Sequence, residues 1–344
     1  MLLFMLWLQE SHKRGDMRKI VCIVFVLFAF FSCKKDESAD ELIVYAYKSF
    51  TGEWGAGAKV ARLFKEKTGS SIKFITCKDA QDVLSKAMLE RGEGDVVLGI
   101  DNYMLEKAKR SGVLTPYKPM CASSIKADFI MSDDWLITPF DYGYFTFMWN
   151  KEKDEEPPTS IQEFLEDKYK QKIVIMNPMT SSPGLGALLW LYAVYGEEGY
   201  IEAWKKMTGN ALSMPTSWSQ GYSLFTTGEV DFALSYTTSL AAHILYDNTE
   251  KFWPLILDEG HLIQLEGVAL LKDAAHKKLG EEFIDFMLSD EVQSILCETQ
   301  FMFPIMDSVE LPMSFKKIPS PKKILKVSDV DIDKIVSDAM NVLE

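Results

Sequence analysis

The sequence is poor in the residues that hold metals and build disulfides. Its four histidines, His12, His243, His261 and His276, include no close pair, and no Cys-x-x-Cys occurs, so a conventional zinc site lacks its ligands and none is expected. Five cysteines in 344 residues are too few for a disulfide framework. No Gly-Lys-Ser/Thr follows a glycine-rich turn, which excludes a P-loop. There is no basic stripe either: the formal charge is −13, with 37 Lys and Arg against 50 Asp and Glu, so binding to nucleic acid through phosphate neutralisation is excluded as a main role. A cationic ligand suits this charge better. No repeat and no low-complexity stretch is visible. Cys77 and Cys121 are the available nucleophiles, but no base is marked for either, and buried structural cysteine is the commoner case. No catalytic residue is assigned.

What is present begins with an address. From Met17, two basic residues precede a twelve-residue apolar run, Ile20 to Phe31, and then Ser32-Cys33 and the polar stretch KKDESADE. The run is short for a bilayer span and suits a signal peptide over residues 1–32. The signal begins more naturally at Met17, so a misassigned start over 1–16 is one expectation. A small residue before a cysteine resembles a bacterial lipobox, implying lipidation at Cys33 and a tether over 33–41; simple secretion or an uncleaved anchor fits the same segment. Removal of 1–32 leaves 33 basic against 48 acidic side chains, a formal charge of −15.

The rest reads as α/β. A continuous apolar run at 42–47 predicts a strand covered on both faces, SIKFIT (71–76) and DVVLGID (95–101) predict two further strands, and periodic segments near 58–68, after Asp79, and at 104–110 predict helices, together an open parallel sheet. A second set follows: strands at 172–176 and 230–236, with a helix over 183–195. Two long extended runs, TPFDYGYFTFMWN (138–150) and HLIQLEGVALL (261–271), separate these sets. The chain therefore crosses twice between two lobes, lobe 1 over 42–140 and 270–344 and lobe 2 over 141–269. The tail, 328–343, has helical periodicity.

Open α/β sheets bind ligands beyond the carboxyl ends of their strands, which selects four stretches. In VYAYKSFTGEWGAG, Tyr47 ends the first strand and Trp54 sits in the following turn; these rings can face a cation or a heterocycle, or they can simply cover the end of the sheet. Asp79 is an acceptor for an amino group or cation, or a plain helix N-cap. NPMTSSPGLGALLWL offers Ser182 as N-cap with Pro183 at the first helical position, preceded by Thr180 and Ser181: an anion seat, or only a well-capped helix. SYTTS, 235–239, repeats that arrangement and adds Tyr236, with Trp218 opening a short helix 18 residues earlier.

Taken together, VYAYKSFTGEWGAGA, GDVVLGIDN, PFDYGYFTF, NPMTSSPGLGALLW, the Trp218–Phe225 set and DFALSYTTS resemble the thiamine-binding substrate-binding proteins of bacterial ABC transporters over about residues 42–315. The resemblance implies the type II periplasmic-binding-protein fold, two α/β lobes joined by two crossover strands. It implies a receptor, not an enzyme, that takes thiamine or its phosphates without a cofactor. Its partners would be a membrane permease and a separate ATPase, and its place the periplasm or the outer face of the cytoplasmic membrane, as a monomer. By matching motif, ring contacts fall on Tyr47, Trp54, Trp218 and Tyr236, an acidic contact and its neighbour on Asp79 and Ala80, and phosphate-end contacts on Ser181, Ser182, Thr237, Thr238 and Ser239. The sequence departs from the family pattern at Met179, Ala242 and Phe301, where an arginine, an aromatic and a tryptophan are expected. With fewer cationic and hydrogen-bonding groups, free thiamine is expected to bind at least as well as the diphosphate. Other readings are a receptor for polyamine or another organic cation, and a thiaminase-like enzyme with Cys77 or Cys121 as nucleophile and Glu266 as base. Ferric binding would need adjacent tyrosines.

Overall fold

The computed structural model describes residues 40–153, 156–328 and 330–343. The leader, the tether up to residue 39 and Cys33 lie outside the described residues. Glu41–Glu344 forms one compact unit.

The apolar run after the tether becomes strand β1 (Glu41–Tyr47), followed by the single turn α1 (Lys48–Thr51), α2 (Gly57–Thr68), β2 (Ser71–Cys77), α3 (Ala80–Leu89), β3 (Val96–Asp101), α4 (Leu105–Ser111) and the short β4 (Leu114–Thr115). β1 is flanked by β2 and β3 in parallel, the arrangement that buried β-α-β units require. β5 (Thr138–Asn150) and β10 (His261–Leu271) are the two long strands and pair antiparallel along their first and middle parts. Between them come α5 (Ile161–Phe164), β6 (Ile173–Val174), α6 (Ser182–Asn210), β7 (Ala211–Ser213), α7 (Trp218–Thr226), β8 (Phe232–Tyr236), α8 (Ser239–Tyr246) and β9 (Phe252–Pro254). After β10 follow α9 (Lys277–Met287), α10 (Asp290–Thr299), β11 (Phe303–Pro304), β12 (Ile324–Leu325) and α11 (Ile332–Asn341). The strand order β2-β1-β3-β10-β5-β8-β6-β7 runs unbroken through both halves, with β5 and β10 at its centre.

Two separate cores flank these central strands. In lobe 1, Val44, Ala46, Val97 and Leu98 pack with Phe64 and Phe283. In lobe 2, Phe147, Phe164, Trp190, Trp204 and Phe232 form an aromatic core. α6 outruns the helix expected over 183–195, but its backbone breaks at Gly196 (φ 68°), where that helix was expected to stop. The segment expected as a strand over 172–176 is a strand only at Ile173–Val174.

The C-terminal segment corrects the lobe assignment. From Met313 the chain leaves lobe 1: Phe315 packs with Ala241 of α8, β12 pairs with the His261 end of β10, and α11 places Ile335 and Ala339 in the lobe 2 core. Trp204 Nε1 donates to the Ala339 carbonyl at 3.1 Å. The cause is the apolar stripe of α11, which finds its cover on α6 instead of on the first sheet. No helix among the described residues is long and apolar enough to cross a membrane.

Candidate ligand site

The carboxyl ends of β1 and β2 and the helix starts of lobe 2 face each other across a cleft of about 450 Å³, within the usual range for a small-molecule site. Tyr47 ends β1 and is almost wholly buried. Its hydroxyl donates to Glu266 Oε2 and accepts from Gln300 Nε2 at 2.7 Å. Gly99 on β3 makes room for this ring: its φ is +105°, and a Cβ there would lie 2.3 Å from the Tyr47 ring. Trp54, in the turn before α2, is 74% exposed and meets only the edge of Tyr246, at 6.1 Å, so it stands at the mouth of the cleft. Tyr45 and Phe50 are buried packing residues.

Asp79 caps α3, its Oδ1 accepting from Ala80 N at 2.7 Å, and the second oxygen reaches across the cleft to the N–H of Trp218 at 3.0 Å. Burial raises its pKa, and the bonds from Ala80 and Trp218 oppose that rise. Asp101, at the end of β3, makes a second link between the lobes by accepting from Ser182 Oγ; it also accepts from the N–H groups of Tyr103 and Met104. Burial lifts Asp101 to about 6 against these three bonds. Two lobe 2 helix starts, those of α6 and α7, are thus each engaged by a lobe 1 carboxylate, the group a helix N-terminus favours.

The start of α6 differs from its expected form. Ser181, not Ser182, is the N-cap, with no side-chain capping bond. Ser182 is the first helical residue and spends its hydroxyl on Asp101. Ser181 is near enough to Asp79 to lower that acid's pKa, yet its hydroxyl lies outside hydrogen-bond geometry and is buried without a partner.

The lobe 2 wall is held by its own bonds. Trp218 stacks on Tyr222 with centroids 4.8 Å apart, and its Nε1 donates to Ser235 Oγ at 2.9 Å, which is bonded in turn to Ser239 Oγ at 2.8 Å. Tyr222 meets His243 Nε2 at 2.8 Å, and His243 Nδ1 meets Asp247 at 2.7 Å. Burial lowers the pKa of His243 while Asp247 opposes, so the neutral imidazole accepts a hydrogen bond from the Tyr222 hydroxyl and fixes the stack. Tyr236 stacks on Phe145 at 5.3 Å and donates to Gln264 at 3.0 Å.

Of the eleven residues singled out above, eight line the cleft: Tyr47, Trp54, Asp79, Ala80, Ser182, Trp218, Tyr236 and Ser239. Ser181, Thr237 and Thr238 do not; they are fully buried behind it, and Thr237 Oγ1 has no partner. Ala242 and Phe301 line the cleft, whereas Met179 is exposed on a separate groove beside α11 and contributes nothing to it. Sequence reasoning missed Tyr222, Gln264 and Gln300, and it raised Glu266 only as a base. The available signal was a charged residue, Glu266, inside the long, largely apolar strand HLIQLEGVALL. Neither Cys77 nor Cys121 lines the cleft, and burial pushes the Cys77 thiol up to about 12. These two and Cys297 are unpaired.

A sheet running through two cores, with a ligand-sized cleft between them, is the plan of an extracellular solute-binding protein. The family described as "Bacterial extracellular solute-binding protein" matches residues 59–322. The thiamine-binding periplasmic protein of Brucella abortus biovar 1 is 35% identical over 322 residues, covering 92% of this chain and 96% of that one. Its counterpart in Escherichia coli K12 is 33% identical over 293 residues, 85% and 88% of the two chains. A solved periplasmic thiamin binding protein superposes with a TM-score of 0.84 at 31% identity, over 90% of this chain and 98% of that chain. A ferric binding protein from Campylobacter jejuni, at 20% identity and a TM-score of 0.71, shares the fold alone. The chain belongs to the bacterial extracellular solute-binding proteins and, within them, to the thiamine-binding periplasmic protein family.

Proposed function

We propose that this protein is the substrate-binding component of a thiamine ABC transporter. One observation carries the choice of ligand: the cleft surrounds a buried carboxylate, Glu266, with the rings of Tyr47, Trp218, Tyr222 and Tyr236, and neither it nor its acidic neighbours Asp79, Asp101 and Asp141 makes an ion pair among the described residues. Aromatic faces and uncompensated acid suit a flat cation such as a thiazolium. In the proposed mechanism the ring system lies among these faces, and Asp79 and Asp101 hold the lobes together across it. Closure is favoured only as far as the ligand prefers the closed form.

Because lobe 1 carboxylates already occupy the helix starts of α6 and α7, a phosphate there would meet like charge. Free thiamine therefore binds at least as tightly as the diphosphate. The protein acts in the periplasm or on the outer face of the cytoplasmic membrane, exported by the 1–32 signal and anchored through a lipid on Cys33. It works as a monomer and hands its ligand to a permease driven by a separate ATPase. The cysteine-nucleophile reading finds no support, since neither candidate thiol reaches the cleft.

Tryptophan-fluorescence titration with thiamine, its mono- and diphosphate and spermidine tests this reading, because Trp54 and Trp218 line the cleft. Saturable change with thiamine, and a diphosphate affinity no higher, is the expected result. Response to spermidine alone would reassign the receptor to polyamines, and a strong diphosphate preference would overturn the account of the helix starts.

A further inference from the structure

Asp101, Glu266 and Asp141 occupy one row across three neighbouring strands, with Glu266 of β10 directly opposite Asp101 of β3 on one side and Asp141 of β5 on the other. Directly opposed residues share a face of the sheet, with Cβ atoms about 5 Å apart. Pairing slips between Glu266 and Gly267 against β5, a bulge of the kind that re-aims a side chain. All three acids are buried, but they are satisfied unequally. Asp101 has three donors, and Glu266 has Tyr47 and Gln264, the latter at 2.9 Å. Neither oxygen of Asp141 has a partner.

Two neighbouring carboxylates without a cation cannot both ionise, and the unpartnered one keeps its proton. Burial and then Glu266 hold Asp141 well above the ordinary carboxylate range. Of this row only Glu266 lines the cleft. The groups facing it are Tyr47 from β1, Asp79 from the start of α3, Asp101 from β3, Asp141 from β5 and Tyr236 from β8, with Cys297 of α10 beside Asp141. None of these is a cation. Burial, opposed by the Tyr47 bond and reinforced by Asp101 and Asp79, pushes Glu266 up to about 8.

We propose that Glu266 is the counter-ion of the bound cation and that it becomes so by losing its proton on binding, so that ligand uptake is linked to proton release. The Glu266 O–H bond breaks, the proton passes to solvent, and the carboxylate left behind faces the positive ring; Asp141 stays protonated. This rests on the cationic-ligand reading given above. Affinity then falls about tenfold for each pH unit below 8 and levels off above it. Glu266 would also sort ligands, since a neutral ring of the same shape gains nothing from the released proton.

Calorimetric titration of the full chain with thiamine, run from pH 6.5 to 9 in pairs of buffers with different ionisation heats, counts the protons. Close to one proton per ligand should leave at pH 7 and almost none at pH 9. Glu266→Gln should release none at any pH, whereas Asp141→Asn, which imitates the protonated acid, should release as much as the unaltered protein. Circular dichroism checks that both variants fold. Binding with equal heats in both buffers at pH 7 overturns the linkage while leaving the thiamine reading intact. Release that survives Glu266→Gln, or vanishes in Asp141→Asn, overturns the assignment to Glu266. Absence of binding to both thiamine and spermidine by the unaltered protein overturns the cation reading and this inference with it.

Discussion

The two walls of the cleft solve opposite problems. On the lobe 2 side the aromatic wall is held by a chain of side-chain bonds within its own lobe: Trp218 with Ser235, Ser235 with Ser239, Tyr222 with His243, His243 with Asp247. That wall is rigid before anything binds, and rigidity of this kind spares a ligand the cost of ordering its site. The opposite side, built by lobe 1 and the crossover strands β5 and β10, instead gathers Asp79, Asp101, Glu266 and Asp141 with no ion-pair partner among the described residues. Its acids have no counter-cation, and two of them, Glu266 and Asp141, keep their protons instead. The difference teaches that shape resides mainly in one lobe and electrostatic preference in the other, and it can be probed one wall at a time.

The largest effect should come from relieving the acidic wall. Glu266 holds its proton in the folded state up to about pH 8, whereas in the unfolded chain it ionises near 4.5. The folded state therefore binds more protons between these values, so stability falls as pH rises through that window and stays level above it. Glu266→Gln removes the penalty. Without ligand, the variant should be more stable than the unaltered protein at pH 7.5 by on the order of 2–4 kcal/mol, and the gap should close as pH approaches 4.5. Thermal or urea melts across that range measure it. A variant less stable at pH 7.5 would mean that Glu266 is satisfied in the fold and that the two walls do not differ in this way.

The lobe 2 wall should answer in affinity instead. Trp218→Ala removes the ring stacked on Tyr222 and leaves Ser235 without its donor. Anchors of this kind lose about 2 kcal/mol or more on truncation, roughly 30-fold in Kd, and Trp218→Phe should recover much of the stacking without the Nε1–H. The dissociation constant for thiamine at pH 8 is the measurement. If Trp218→Ala binds normally, the preformed wall is packing and does not hold the ligand.

Much of this arrangement was legible in the sequence, for identifiable reasons. Two of the parallel strands of lobe 1, β1 and β3, announced themselves as apolar runs because both faces are buried, whereas β2 is a half-exposed edge strand; the strand-end rule then pointed to Tyr47 and Asp79. The two crossover strands stood out by length. Harder to see was anything that depends on register: Glu266, Asp101 and Asp141 are 165, 40 and 125 residues apart along the chain in their pairings, and only the sheet puts them in one row. Ser182 looked like a cap because Ser-Pro is a strong helix-start signal; its use as a donor to Asp101 depends on the opposite lobe. The tail helix had a clear apolar stripe, but a stripe does not say which surface will cover it, and α11 went to lobe 2.

Trp54 separates what motif matching suggests from what geometry supports. It shares a stretch with Tyr47 and looks like an equal partner in ring binding, yet Tyr47 is buried and doubly hydrogen-bonded while Trp54 is 74% exposed. An exposed ring with one edge contact gains little from desolvation, and a cation near it is well solvated, which puts such contacts at about 0.5–1 kcal/mol. Trp54→Ala should therefore weaken thiamine binding only about two- to fivefold, far less than Trp218→Ala. Its rim position predicts a kinetic signature as well: stopped-flow fluorescence read through Trp218 should show most of the change in the rate of ligand escape. A loss as large as that of Trp218→Ala would mean that the turn folds inward over the ligand, joining the rigid aromatic wall across the cleft.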